Sequence, residues 1–198
     1  MKKLKMFQPA LLLAVLCLTV TLLLAATNEL TKGPIAEQAA EASYENKLAI
    51  FPEAASFEEI ELTKDQVSQM TDKDISILEL SRAVDSEGKN LGYVIVTASR
   101  GYAGNIVTTV GIGSDSKVIM VSAAAADDTP GLGKRVEEKS FTGQFTGLDT
   151  NKETNVNGDG ETSKIDAISG ATISSKGASL AVNKAFGAYT YLTEQGVI

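Results

Sequence analysis

The sequence predicts an α+β domain that follows a single N-terminal transmembrane helix. An uncharged apolar run indicates the first helix, two pairs of β-rich segments separated by turns indicate antiparallel strands, and apolar residues at helical spacing indicate a C-terminal helix. Strand pairs with helices before and after them are typical of α+β domains. We therefore divide the chain into a cytoplasmic tip and anchor (1–32), an extracytoplasmic segment (33–89) and a C-terminal domain with antiparallel strands (90–198).

The N-terminal segment has the charge pattern and the length of a membrane anchor. Lysines at positions 2, 3 and 5 precede an uncharged run over 6–26. As a helix rising ~1.5 Å per residue, this run extends roughly 31 Å, about the thickness of a bilayer's hydrocarbon core. The positive-inside rule then predicts a single-pass protein of the cell membrane, with the N-terminus in the cytoplasm and the rest outside. A cleaved signal peptide is the alternative, but the apolar run is longer than such peptides usually have.

The composition excludes several kinds of chemistry. The sequence has no histidine and one cysteine, Cys17, which excludes a Ser/His/Asp triad, a histidine-bound zinc site, a disulfide within the chain and a thiolate-bound iron–sulfur cluster. We therefore predict no catalytic triad and no metal site. The formal net charge of −7 argues against nucleic acid as a partner. Any redox chemistry would need an imported cofactor.

Two hairpins account for the strands that we predict. The first pairs 75–84 with 91–98 across a polar turn, and the second pairs 106–112 with 118–124 across a turn at 113–116. The segment 49–73 is predicted to hold a strand or loop and a short polar turn of helix. The polar stretch 146–164 is predicted to be a loop.

Two helices are predicted outside the membrane. Gly33-Pro34 is expected to end the anchor, and 35–48 forms a modest helix. The C-terminal helix is expected to be capped by Ser174 or Ser175 and to stop at Gly196. Its apolar stripe consists of Ala178, Ala181, Val182, Ala185, Tyr189 and Leu192.

Small residues and hydroxyls precede this helix in the segment Asp166-Ala-Ile-Ser-Gly-Ala-Thr172. Gly170 and Ala171 allow close approach of a ligand to the backbone, and the free N–H groups of a helix N-terminus favour a phosphate. On the residues alone, an ordinary capped turn explains the pattern at least as well, because hydroxyl-rich caps are common.

The same segment resembles the flavinylation motif Asp-x-x-Ser-Gly-Ala-Thr of the FMN-binding domain. That domain occurs in the G subunit of Rnf-type ferredoxin–NAD oxidoreductase complexes and in the C subunit of the sodium-pumping NADH–quinone reductase. Asp166, Ser169, Gly170, Ala171 and Thr172 all match the motif. The resemblance implies that a flavin transferase attaches FMN covalently, by a phosphoester, to Thr172, and that 90–198 is the FMN-binding domain.

Two further segments resemble flavin-contacting parts of the family. The family's Glu-Thr-Pro-Gly-Leu-Gly segment is matched at positions 129–133, with Asp128 in place of the glutamate and alanines where the family has a histidine shortly before it. Tyr102 lies in a turn that resembles the family's glycine–aromatic turn. The resemblance implies the following cofactor-binding residues besides the motif: Tyr102, Thr129, Pro130, Gly131, Leu132 and Gly133.

A third pattern has the spacing of a calcium-binding loop. Asn155, Asn157, Asp159 and Gly160 are followed by Asp166 at the twelfth position. The first and last ligands are of the wrong type and the flanking helices are missing, so we interpret the segment as a polar surface loop.

Together these features predict the electron-carrying G subunit of a membrane-bound, ion-translocating Rnf complex, with other membrane subunits of that complex as its partners. As an enzyme, the chain would act only as a subunit of that redox-driven oxidoreductase. Two alternatives stay open: a C subunit of a sodium-pumping NADH–quinone reductase, and a membrane-anchored FMN-binding or sensory module that carries no electrons.

Overall fold

The computed structural model describes residues 2–63, 66, 70, 75–158 and 161–198. The chain divides into two compact units, one ending at Glu45 and the other comprising Asn46–Ile198. The first unit is helical over residues 2–45, and the second holds a sheet, its helices and the candidate site.

Helix α1 runs without interruption over Lys2–Ile50. The stretch Pro9–Ile50 contains an 18-residue window with a mean hydropathy of 2.6, none of it buried in the protein, which suits a membrane span. The predicted helix over 35–48 is confirmed as the end of α1, but it is not a separate helix, because α1 continues through Pro34. The exit from the membrane at Gly33-Pro34 stays a prediction. A proline removes one helical hydrogen bond, but alanine, glutamate and glutamine after it are strong helix formers.

Five strands form an antiparallel meander in the order β1-β2-β3-β4-β5. They comprise β1 (Ser56–Glu59), β2 (Ile75–Val84), β3 (Asn90–Arg100), β4 (Asn105–Gly113) and β5 (Val118–Ala124). Both predicted hairpins, β2–β3 and β4–β5, are confirmed. The strand expected within 49–73 is β1. The short helix expected after it falls mostly outside the described residues.

Strand β3 is buried on both faces of the sheet. Tyr93 and Ile95 point into the main core, which they share with the C-terminal helix, whereas Val94 packs with Ile50 and Phe51 on the opposite face. A strand covered on both sides has a nearly continuous apolar sequence, as 93–98 does.

The C-terminal helix, α3, spans Thr172–Glu194, and its six predicted stripe residues are all buried. It begins earlier than the predicted cap at Ser174 or Ser175. The Ser175 hydroxyl donates to the Ala171 carbonyl and accepts the Ile168 N–H, so it closes the turn before the helix rather than capping α3. Gly196, with φ of +66°, follows the helix end as expected.

Between β5 and α3 the chain forms short elements. These are a 3₁₀ turn (Gly133–Glu137), helix α2 (Lys139–Thr142), a second 3₁₀ turn (Gly143–Phe145), and strands β6 (Thr154–Val156) and β7 (Ser163–Ile165). The predicted loop over 146–164 is therefore wrong in part, since β6 and β7 pair in parallel. Hydrogen bonds between Thr154 and α3 explain why a strand forms in this polar segment. The Thr154 N–H donates to Asn183 Oδ1 on α3, and Asn183 Nδ2 donates to the Thr154 carbonyl.

Candidate functional site

The start of α3 and two loops enclose a pocket of about 430 Å³. One loop follows β3 and the other follows β5. This volume lies within the range typical of small-molecule and cofactor sites. The lining residues are Tyr102, Asp128, Thr129, Leu132, Gly133, Gly170, Ala171, Thr172, Ile173 and Ser174.

A tight turn at 168–171 brings the chain into the pocket. The Ala171 N–H donates to the Ile168 carbonyl at 2.9 Å, and Gly170 has φ of +79°, which favours glycine. A Cβ at position 170 would lie 3.0 Å from the Leu132 side chain. The turn and the loop after β5 are therefore in contact, and a side chain at 170 would enter the space between them.

Thr172 is the first residue of α3, and its exposed side chain lines the pocket. Ala171 occupies the N-cap position and offers no side-chain hydrogen bond to the helix. The first N–H groups of an α-helix have no partners within the helix, and they carry the positive end of its dipole. A phosphate linked to the Thr172 hydroxyl would therefore lie beside unpaired donors.

The loop after β5 is held by backbone hydrogen bonds. The N–H groups of Leu132 and Lys134 both donate to the Thr129 carbonyl, at 3.1 and 3.3 Å. This wrapping turns Thr129, Leu132 and Gly133 toward the pocket. Pro130 and Gly131 are exposed and do not line it.

Among the described residues that line the pocket, Asp128 is the one carboxylate, and this residue is only 3% exposed. Its Oδ1 accepts the Ala103 N–H at 2.8 Å, which ties the loop after β5 to the loop after β3. Its Oδ2 has no hydrogen-bond partner among the residues that the structure describes. A buried acceptor without a partner lowers the free energy of unfolding by about 1–3 kcal/mol. The Asp128 carboxylate therefore has an acceptor atom in the pocket wall that no interaction within the fold satisfies.

The structure brings seven of the eleven residues predicted from the resemblance into one pocket wall. These are Tyr102, Thr129, Leu132, Gly133, Gly170, Ala171 and Thr172. The other four, Pro130, Gly131, Asp166 and Ser169, are exposed and lie outside the lining. Asp166 pairs with Lys164, its Oδ1 lying 3.2 Å from Nζ, on the surface.

Sequence reasoning missed Asp128, Ile173 and Ser174 as lining residues. Asp128 stood out only as a departure from the family's glutamate, and no pattern in the sequence showed that it is buried. Asp159 and Gly160 of the calcium-like spacing lie outside the described residues, so the structure does not show that whole loop.

Comparison with known proteins identifies the family. Residues 101–187 match the FMN-binding domain, and residues 1–46 match the RnfG N-terminal region. The G subunit of the ion-translocating oxidoreductase complex of Methanosarcina acetivorans is 34% identical over 155 residues, covering 78% of each chain. The chain belongs to the Rnf G-subunit family. The resemblance seen in the sequence is thus confirmed.

Two other members of the Rnf G-subunit family are also similar in sequence to this chain. The G subunit of the Na⁺-translocating ferredoxin:NAD⁺ oxidoreductase complex of Acetobacterium woodii is 28% identical over 200 residues, covering 95% of this chain and 93% of that protein. The proton-translocating counterpart of Clostridium ljungdahlii is 36% identical over 111 residues, but the match spans 56% of this chain and only 60% of that protein.

The fold also resembles a solved structure. The C subunit of the Na⁺-translocating NADH-quinone reductase from Parabacteroides distasonis superposes with a TM-score of 0.51 at 19% identity, covering 71% of this chain and 78% of that one. At this identity the likeness shows a shared fold and no more.

The pocket of this Rnf G-subunit family member fits FMN. The uncapped start of α3 suits the phosphate, and the apolar Leu132 and aromatic Tyr102 suit the ring. Tyr102 is 68% exposed, so its ring is available to a ligand. The Asp128 Oδ2 atom, which has no hydrogen-bond partner among the described residues, gives the pocket wall a polar atom that no contact within the fold uses.

Proposed function

We propose that this chain carries electrons within a membrane-bound ion-translocating ferredoxin:NAD⁺ oxidoreductase complex, through FMN joined to Thr172 by a phosphoester. The observation that carries the proposal is the position of Thr172, which is exposed at the uncapped start of α3 and lines the pocket. FMN supplies the redox chemistry that the side chains of this sequence lack.

The surroundings of three nearby hydroxyls support Thr172 as the attachment residue. Ser169 is exposed but lies outside the pocket lining, and Ser174 lines the pocket but is 1% exposed. Thr172 alone of the three is both exposed and in the lining. In the attachment step its oxygen would form a new P–O bond and lose its proton, while the leaving group of an activated flavin nucleotide departs from phosphorus.

The other residues of the site would hold the cofactor. The N–H groups at the start of α3 would donate to phosphate oxygens, and Leu132 and Tyr102 would cover faces of the ring. Asp166, the first residue of the motif, is exposed, so a flavin transferase could reach it during maturation. A covalent tether prevents loss of FMN and keeps the flavin at a high effective concentration near its redox partners.

We place the FMN-binding domain on the extracytoplasmic side of the membrane, with α1 crossing it once. The lysines near the N-terminus and the apolar window of α1 support this orientation. Protease added to intact cells lacking an outer permeability barrier should remove the domain from the anchored chain. Protection of the domain until the cells are lysed would contradict the orientation.

The electron-carrying role is tested in the intact complex. Native membranes are solubilised, the complex is purified through a tag on this chain, and flavin absorbance is recorded after NADH is added. We expect this chain to co-purify with membrane redox subunits, and we expect the absorbance of its FMN to bleach. The part of the bleaching that comes from this FMN is identified by rapid quenching and by comparison with a complex whose variant chain lacks the FMN. A chain that carries covalent FMN but purifies alone, or whose FMN stays oxidised, would support the binding or sensory module instead.

A further inference from the structure

The buried carboxylate of Asp128 has a setting that its exposed neighbour Asp127 lacks. Asp128 is 3% exposed and lines the pocket, whereas Asp127 is exposed and outside the lining. Asp128 receives one hydrogen bond, from the Ala103 N–H. Among the described residues, Asp128 forms no ion pair and its Oδ2 has no hydrogen-bond partner.

We propose that Asp128 is a potential-setting residue, whose shielded negative charge in the pocket wall lowers the midpoint potential of the bound flavin. The proposal rests on the proposed function, since it needs FMN in this pocket. It adds a role for a residue that the attachment chemistry does not use.

The position of Asp128 places its charge at the ring end of the pocket. Its Oδ1 is hydrogen-bonded to Ala103, the residue after Tyr102. Its Oδ2 lies against Gly133, the residue after Leu132, where a Cβ would come within 2.5 Å of the oxygen. The carboxylate therefore lies between the residues that directly follow Tyr102 and Leu132, whose side chains suit the flavin ring, while the start of α3 supplies the phosphate end.

The sign of the effect follows from charge. Reduction of the ring by two electrons with uptake of one proton adds one negative charge to it, and a nearby carboxylate repels that charge. A charge shielded from water acts through a lower effective dielectric than an exposed one. The charge of Asp128 should therefore change the midpoint potential of the ring, whereas solvent and salt should screen the charge of Asp127. No direct contact between the Asp128 oxygen and the flavin is required.

The test compares the same charge change at adjacent positions. Asp128→Asn removes the charge but keeps an oxygen that can accept the Ala103 N–H, and Asp127→Asn is the matched control. The full chain is co-expressed with a flavin transferase and purified in detergent. Covalent FMN is measured by intact mass, folding by the melting temperature, and the midpoint potential by reductive titration with dithionite. Asp128→Ser provides a second neutral variant if the asparagine variant does not melt cooperatively.

We expect Asp128→Asn to retain covalent FMN and to raise the ratio of reduced to oxidised flavin at a fixed potential by about tenfold, the order expected for one shielded charge. For a two-electron couple this corresponds to an upward shift of about 30 mV. Asp127→Asn should change the ratio by less than about threefold, because its charge is screened. Equal potentials in the wild type and both neutral Asp128 variants, with FMN bound, would overturn this inference alone. A wild type without covalent FMN would overturn the proposed function, and this inference with it.

Discussion

Helix α3 lies close against the sheet at Gly177, so we expect Gly177→Ala to destabilise the protein. A Cβ at position 177 would lie 2.7 Å from the Arg100 carbonyl oxygen and 3.3 Å from the Ile106 side chain. Two hydrogen bonds prevent the helix from moving away: Ser99 Oγ donates to the Gly177 carbonyl at 2.5 Å, and Thr97 Oγ1 donates to the Ala181 carbonyl at 3.0 Å.

Two opposing effects determine how much Gly177→Ala changes the free energy of unfolding. Replacing glycine by alanine inside a helix stabilises it by about 0.8–1.0 kcal/mol, whereas overpacking a tight contact costs about 1–3 kcal/mol. Gly187 lies in the same helix, is exposed, and has no atom within 4 Å of an added Cβ. Gly187→Ala should therefore stabilise the protein by ~1 kcal/mol, and Gly177→Ala should fall about 1–3 kcal/mol below it in the free energy of unfolding.

Thermal unfolding of the full chain in detergent, followed by circular dichroism, measures the difference. For a unit of this size, 1 kcal/mol changes the melting temperature by about 2–4 °C, so the two variants should melt roughly 2–12 °C apart. The helix should still form in both. If Gly177→Ala raises the melting temperature as much as Gly187→Ala does, the contact between α3 and β3 is looser than we describe.

Two further predictions concern the sheet and the loop after β5. Burial tends to raise the pKa of Glu79, but hydrogen bonds from Lys47 and Ser81 and the charge of Lys47 outweigh it and hold that pKa below its usual 4.5. Glu79→Gln should therefore cost about 1 kcal/mol near neutral pH, since solvent partly screens the pair. In a stability–pH series this difference in the free energy of unfolding should narrow as pH falls below about 4.5, and a difference independent of pH would contradict the prediction. Gly131 has φ of +76° and open space around it. Gly131→Val should therefore lower the free energy of unfolding by about 1–2 kcal/mol through backbone strain, and Gly131→Asn should lower it by less. Both variants should keep covalent FMN in a denaturing gel, and loss of the FMN would show that this residue takes part in attachment.

Local patterns in the sequence predicted the parts of the fold that local interactions determine. The two hairpins follow from β-rich segments joined by short turns, and the buried stripe of α3 follows from its helical spacing. Seven of the residues implied by the resemblance to the FMN-binding domain line the pocket, among them the proposed attachment residue. Their role in binding FMN stays a prediction.

The features that the sequence did not reveal depend on contacts between distant residues. Strand β6 forms where Thr154 bonds to Asn183 on α3, a contact that polar composition cannot indicate. The start of α3 at Thr172 is the exception, because the Ser175 hydroxyl bonds locally to the preceding turn, and the sequence pattern did not distinguish this from a cap. The burial of Asp128 depends on the loop after β3, which supplies the Ala103 N–H.

The central claim is that Thr172 carries FMN by a phosphoester, and intact mass spectrometry of the full chain co-expressed with a flavin transferase tests it most directly. Wild type and Ser169→Ala, which removes a hydroxyl outside the pocket lining, should both gain the mass of one FMN less water. Thr172→Ala should gain none, while its circular dichroism spectrum and melting temperature stay close to those of the wild type. Thr172→Ala protein that still carries the FMN mass would contradict the claim.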